Sequence, residues 1–444
     1  MDDRDQLLRM GMSPTQAAAK AAMLAHCDRA LDTLGSSDHR WSVWVPGRIE
    51  MLGKHTDYAG GRSLLCTVER GFAVRVALRT DAGIRAVDVT TSSVCETALD
   101  PSAGAPEGTW GNYVATVARR LARNFPSARC GVDLAFTSDL PIAAGMSSSS
   151  ALMIAVFVAL AKSNDLRSSE EFRRAIFSRE ELASYLGTVE NGESFRTLEG
   201  DAGVGTFGGS QDHTAIMCAE SGHVVQYSFS PVRREAAYAL PAAYTFVVGA
   251  CGVLAEKTAG AREGYNRAAH LVRHLVAAWN VHTGRNDPTL ADAVRSAEDA
   301  PDQLRRLATA SATPAFPALA LGNRLEQFLL ESFVLIPHAA AILARGAIPE
   351  LGPVVDRSQE AAERWLGNQI PETVSLARQA RNYGAIAASS FGAGFGGSVW
   401  ALVPVSEAEA FAQAWAERYS AEFPEAAARA VFFVSPAGAG ANQF

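Results

Sequence analysis

No C-x-x-C pair occurs among the six cysteines (Cys27, Cys66, Cys95, Cys130, Cys218 and Cys251). That scatter argues against a zinc site and against a disulfide framework, and it fits a reducing, cytoplasmic setting. The first residues, MDDRDQLLRMGM, lack an apolar core, so no secretory leader is expected. Basic residues are not in excess: 40 Lys and Arg against 47 Asp and Glu give a net charge of −7. The chain therefore lacks the overall basic footprint of a nucleic-acid binder. Nor is there a compositional bias of the disordered, collagenous or coiled-coil kind, with 48% hydrophobic and 20% charged residues. One uncharged run, 236–255, is long enough to cross a bilayer. It carries Pro241, Gly249 and Gly252, and its most apolar part, Tyr244–Gly249, reads as one buried strand.

At 444 residues the chain is long enough for two domains. Residues 5–34 read as helical, with Ser13 as N-cap before Pro14. Strand composition follows at 41–45, 72–78 and 132–137, with a helix over 110–125 between the last two. An apolar helix runs from Ala151 to about Lys162, and the Gly-rich stretch 200–209 reads as a loop. From Tyr244 a strand opens a second half, helices dominate 259–381, and strands return at 395–403 and 430–434. The alternation predicts an α+β or α/β protein. No linker marks the division, which is set at 1–235 and 236–444.

Three segments carry polar chemistry on small residues. The first, Pro46-Gly-Arg-Ile-Glu-Met-Leu-Gly-Lys-His-Thr-Asp-Tyr58, leaves a strand and gathers Arg48, Glu50, Lys54, His55 and Asp57; it is either a solvated turn or a binding site on a strand edge. The second, Pro141–Ala151, places Gly145 and four serines, Ser147, Ser148, Ser149 and Ser150, before an apolar helix. One serine serves as a cap; four after a glycine suit an anion cradle at a helix start. The G-x-x-x-x-G-K-[ST] pattern is absent. The third, Phe391-Gly-Ala-Gly-Phe-Gly-Gly-Ser398, permits close backbone approach and is by itself also compatible with a plain turn.

In order and spacing the three segments resemble the signature motifs of the GHMP small-molecule kinases. Within that superfamily the first is similar to the galactokinase form PGR-V-N-L-I-G-E-H-T-D-Y. Trp110-Gly-Asn-Tyr-Val114 resembles the galactokinase W-x-N-Y-V, and Gly209-Ser-Gln-Asp212 resembles G-I-M-D-Q. The resemblance implies a two-domain α+β fold, with an N-terminal half of the ribosomal-protein-S5-like type and a C-terminal ferredoxin-like half. It implies an ATP- and Mg²⁺-dependent kinase acting on a sugar, at the anomeric hydroxyl, with no nucleic-acid or membrane partner. It assigns Asp212 as the catalytic carboxylate and Arg48 as its partner. Substrate contacts fall on Lys54, His55, Asp57, Gly209 and Tyr265. Nucleotide contacts fall on Trp110, Gly145, Ser147, Ser148, Ser149 and Gly394, and the metal on Ser148 and Glu190. His55 alone reads equally as a structural histidine, and Trp110 as a core anchor.

Departures from the pattern are specific. The galactokinase Glu of G-E-H-T-D-Y is Lys54, its Asn is Glu50, and Ser150 stands where Ala is usual. Lys54 either reads an acceptor-rich or anionic group, such as the carboxylate of a uronic acid, or turns away to pair with Glu50. Glu190 lies 22 residues before Asp212, farther than in the family, so an inserted loop that includes 196–205 is expected near the site. Whether 200–208 form a lid is open. The alternative function is a non-catalytic sensor of sugar and nucleotide.

Overall fold

A computed structural model describes residues 2–106, 108–253 and 259–444, without the side chains of 259–262. The described strands form two sheets. The larger is built on two long antiparallel strands, β1 (Arg40–Leu52) and β2 (Arg62–Leu78). Strands β3 (Gly83–Asp88), β4 (Ser93–Ala98) and β5 (Val132–Ser138) extend it along the second half of β2. Strands β6 (His223–Ser228) and β7 (Arg233–Ala239) extend it along residues 62–65. The smaller sheet has the order β11 (Val431–Ser435), β8 (Tyr244–Ala250), β10 (Ser398–Pro404), β9 (Ala387–Phe391). The last strand, β12 (Asn442–Gln443), returns to β1.

Several expectations need correction. The helical region 5–34 is two helices, α1 (Asp3–Arg9) and α2 (Pro14–Thr33), broken at Gly11, whose φ is +88°. Ser13 does precede α2, but its hydroxyl donates to Glu69 at 2.6 Å rather than capping the helix. The first polar segment does not leave its strand at Pro46: β1 runs on to Leu52, with register shifts between Pro46 and Arg48 and between Glu50 and Leu52. Proline is tolerated at such a bulge, because a ladder bond is lost there anyway. The division at residue 235 falls inside β7, which pairs with β6 in the larger sheet. The sheets therefore part between Ala239 and Tyr244.

The helices over the larger sheet include α3 (Gly111–Asn124) and α4 (Ser148–Ser163). Helix α4 is apolar nearly all round, and Ala151–Phe157 are buried; such a helix belongs in a core. Three shorter helices follow, α5 (Glu170–Ala175), α6 (Arg179–Asn191) and α7 (Gln211–Cys218), and then the long α8 (Ala259–Thr283). The main core joins both sheets, running from Val43, Ile49 and Val74 to Phe246 and Trp400. The uncharged run read at 236–255 ends β7 and forms β8, which is paired by β10 on one side and β11 on the other up to Ala250; residues 254 and 255 lie outside the described residues. The helical stretch Ala318–Ala344 is long and apolar enough to cross a membrane by length and composition, and 61% of its most apolar 18 residues is buried inside the fold.

Candidate active site

One cleft of about 1400 Å³ gathers most of the residues singled out by sequence. Its floor begins on β1. Between the two register shifts, Arg48 and Glu50 point to the same side, because strand side chains alternate; Ile49 between them is fully buried in the core. Arg48 is 3% exposed. Its Nε and Nη2 approach Asp212 Oδ1 at 2.8 and 2.7 Å, and its Nη1 donates to the Gly145 carbonyl at 2.5 Å. One guanidinium thus ties the first motif to the second and to α7. Burial is the largest influence on the Asp212 carboxyl and works to raise it, but the Arg48 charge, the hydrogen bonds from Ser147 and Arg48 and the nearby His213 together hold it below the ordinary 3.8.

The serine segment lies opposite. Ser147 takes a left-handed conformation, φ +61°, and α4 starts at Ser148. Such a backbone is costly for a serine and persists where the surroundings hold it. Gly145, Ser147, Ser148 and Ser149 line the cleft, and the helix start offers amide donors to an anion. Ser150 points elsewhere: its hydroxyl donates to Glu190 Oε2 at 2.8 Å, and His213 Nε2 is 3.4 Å from that oxygen. Trp110 also lines the cleft, edge-on to Phe136 at 5.1 Å, with Nε1 donating to Ser93 at 3.0 Å. Trp110 is thus half-buried against the core and at the same time part of the cleft wall.

At the other end stand His55, Asp57, Gly209 and Tyr265, all lining the cleft. His55 has φ +56°, with Nε2 3.1 Å from the Ala393 carbonyl and Nδ1 2.9 Å from the Tyr58 hydroxyl. A carbonyl only accepts, so Nε2 carries the proton and Nδ1 accepts from Tyr58. Burial and the Arg324 charge push the imidazole down to about 4, so it is neutral at physiological pH. Burial lifts Asp57 to about 6 against the hydrogen bond from the Gln211 amide, 3.0 Å from Oδ2. A side chain at Gly209 would put its Cβ 2.5 Å from the same oxygen, so glycine is required there. The Tyr265 ring lies 5.2 Å from that of His55.

Two assigned residues are not in the lining. Lys54 is 1% exposed and donates to Ser358 Oγ at 3.1 Å and Ser389 Oγ at 2.8 Å. It faces the second half of the chain, and Glu331 completes that cluster by accepting from Ser358 and from the Gly53 amide. Gly394 is set against Asn368, where a Cβ would come within 2.3 Å of its carbonyl. The third motif meets the cleft through Gly392 and Ala393 instead, and Ser398 Oγ locks it to the second motif by donating to the Ala144 carbonyl at 2.6 Å.

Sequence reasoning passed over Glu50 as a site residue, and also Thr90, Thr91, Tyr113 and Arg119, which line the cleft. Only the charge of Glu50 inside a motif could have signalled it. The loop expected between Glu190 and Asp212 does reach the cleft, through Ala202–Thr206 and Gly208. It is tied down: Arg119 Nε donates to Asp201 at 2.6 Å, the Val204 amide to the Glu190 carbonyl at 2.9 Å, and Asn191 to Gly208 at 2.9 Å.

Comparison with known proteins bears directly on this arrangement. Family models described as the GHMP kinases N terminal domain, the galactokinase galactose-binding signature and the GHMP kinases C terminal match residues 112–219, 32–78 and 334–421. The chain belongs to the GHMP kinase family. Curated relatives of this GHMP kinase include the galactokinase of Actinobacillus pleuropneumoniae serotype 5b, 36% identical over 115 residues. That of Haemophilus influenzae strain PittEE is 32% identical over 117 residues. Each alignment covers 26% of this chain and 30% of the relative. Among solved structures, Lactococcus lactis galactokinase complexed with galactose superposes with a TM-score of 0.78 at 22% identity, covering 94% of this chain and 98% of that one. Methanococcus jannaschii mevalonate kinase gives 0.52 at 13% identity, covering 90% and 99%. This GHMP kinase thus has the two-domain fold of its family, with mixed α and β content.

Proposed function

We propose that the protein is an ATP-dependent sugar kinase of galactokinase type that phosphorylates the anomeric hydroxyl of its acceptor. The observation that carries the proposal is the Arg48–Asp212 pair between a serine-lined helix start and a polar pocket holding Asp57 and His55, all in one cleft. Phosphoryl transfer asks mainly for positioning and charge stabilisation. In this reading the Ser147–Ser149 backbone and hydroxyls hold the ATP phosphates, and Trp110 walls the nucleotide end. Asp57, which can accept two hydroxyl hydrogens, orients the sugar with His55, Tyr265 and the Gly209 backbone. Asp212, kept ionised by Arg48, accepts the proton of the attacking hydroxyl. Arg48 then faces the charge that develops on the transferring group.

Glu190 and Ser148 fit a magnesium ion chemically. Both offer hard oxygen donors in the cleft, and Mg²⁺ with a nucleotide takes one or two protein oxygens and fills the rest with phosphate and water. No cluster of three or more His, Cys, Asp or Glu able to hold a metal occurs among the described residues, as suits an ion that arrives with its nucleotide. Bound there, the ion would neutralise phosphate charge. The reading includes two domains, parted between Ala239 and Tyr244, and a reducing compartment such as the cytoplasm, where six free cysteines are stable. A coupled ADP-release assay over a panel of neutral, acidic and amino sugars tests it. Sugar-dependent release is expected, and release that ignores the sugar rejects it.

A further inference from the structure

The strand that presents Arg48 presents a second ionisable group to the cleft. Glu50 lies two residues along β1, on the same side, between the two register shifts. It is 2% exposed and lines the cleft, yet its Oε1 has no hydrogen-bond partner among the described residues. Buried carboxyl oxygens are seldom left so unless something outside the fold completes them. The nearby cations are engaged elsewhere. Arg48 serves Asp212 and the Gly145 carbonyl, Lys54 serves Ser358 and Ser389, and Arg324 serves Gln327 and the His55 carbonyl.

We propose that Glu50 is a specificity-determining residue, whose carboxyl group exchanges a hydrogen bond with a hydroxyl of a neutral sugar. The inference rests on the sugar-kinase reading and names its substrate class. Three carboxyl groups, Glu50, Asp57 and Asp212, face this end of the cleft. The one cation placed by sequence to receive an acidic sugar, Lys54, does not line it. A uronate would therefore meet the Asp57 and Asp212 carboxyl groups while the Lys54 ammonium is turned to Ser358 and Ser389 and Arg48 is bound to Asp212, a poor arrangement for a desolvated anion. An ammonium sugar fares no better: burial outweighs the Lys54 and Arg48 charges and raises the Glu50 carboxyl to about 8, so it offers a cation a hydrogen-bonding group rather than a full negative charge. A neutral hydroxyl supplies what Oε1 lacks.

The test takes the best sugar from the panel, its monodeoxy analogues, and its uronate and amino counterparts. Each is assayed with wild type, Glu50→Ala and Glu50→Gln. One deoxy analogue is expected to lose at least about 10-fold in kcat/KM on wild type. On Glu50→Ala it should lose less than about 3-fold relative to the parent sugar, with the KM for ATP unchanged. Glu50→Gln keeps the shape and an acceptor, so it retains the discrimination, and Glu50→Leu, which fills the space without a polar atom, replaces the alanine variant if that does not fold and is expected to lose the discrimination in the same way. A wild type that prefers the uronate or amino sugar overturns the inference. So does an analogue series with the same losses in all three proteins. Absence of turnover with every sugar instead removes the sugar-kinase reading itself, so the two failures are distinguishable.

Discussion

Replacing Asp212 by Asn isolates the chemical step. Asn keeps an oxygen where Oδ1 stands, 2.7–2.8 Å from the Arg48 guanidinium. Arg48 stays anchored through the Gly145 carbonyl at 2.5 Å. The pocket is thus expected to keep its shape while losing only the group that takes the proton. General-base contributions of about 10²- to 10⁴-fold correspond to about 2.7–5.4 kcal/mol of barrier at about 1.36 kcal/mol per decade. Turnover by ADP release should fall by that factor, with the KM for ATP within about threefold of wild type, since the serine segment is untouched. The pH profile adds a second reading. Asp212 lies below the ordinary 3.8, so it causes no acid limb near neutrality. A limb near pH 6 belongs to Asp57, which is held at about 6. The Asp212 charge contributes to that elevation, so the limb should move to lower pH in the variant. Turnover within about tenfold of wild type, or loss of ATP binding together with turnover, refutes the assignment of Asp212 as base.

Lys54→Met removes the buried ammonium that donates to Ser358 and Ser389; a loss of about 1–3 kcal/mol in denaturant unfolding is expected, with sugar preference unchanged. Burial raises the Glu50 carboxyl from 4.5 to about 8, so the folded state keeps a proton that the unfolded state has released. Its contribution to stability is full below about pH 4.5 and is lost as pH rises to about 8. The Tm of Glu50→Gln should therefore exceed that of wild type by a margin that widens from pH 5 to pH 8.5; a constant gap contradicts the elevation. Gly209→Ala places a Cβ 2.5 Å from Asp57 Oδ2 and should lower kcat/KM for the sugar by about 10- to 100-fold. Unchanged sugar kinetics would show that Asp57 does not orient the sugar.

What sequence could and could not reveal follows from the range of the forces involved. The serine run before α4 was legible because a helix start, an apolar face and small residues are local features. Arg48, His55 and Asp57 were legible because they share one motif. Lys54 sits in that motif too, but its direction is decided by Ser358 and Ser389, more than 300 residues away, and no local pattern encodes such partners. Its neighbour Glu50 was passed over for the same reason: two register shifts against β2 turn it to the cleft, and they depend on pairing rather than on composition. Strand β9 was missed because all five of its residues are buried, which erases the alternation that marks a half-exposed strand. Gly394 was assigned as a nucleotide contact from the resemblance of its segment to the third family motif, whereas its neighbours Gly392 and Ala393 line the cleft.

The central claim is that the Arg48–Asp212 cleft moves a phosphoryl group from ATP to a sugar hydroxyl. Phosphorus NMR of wild type with ATP, Mg²⁺ and the best neutral sugar tests it most directly. The account predicts a new sugar 1-phosphate resonance that grows with ADP and is nearly abolished by Asp212→Asn. ATP left unchanged, inorganic phosphate as the only product, or a sugar phosphate formed equally well by Asp212→Asn would contradict it.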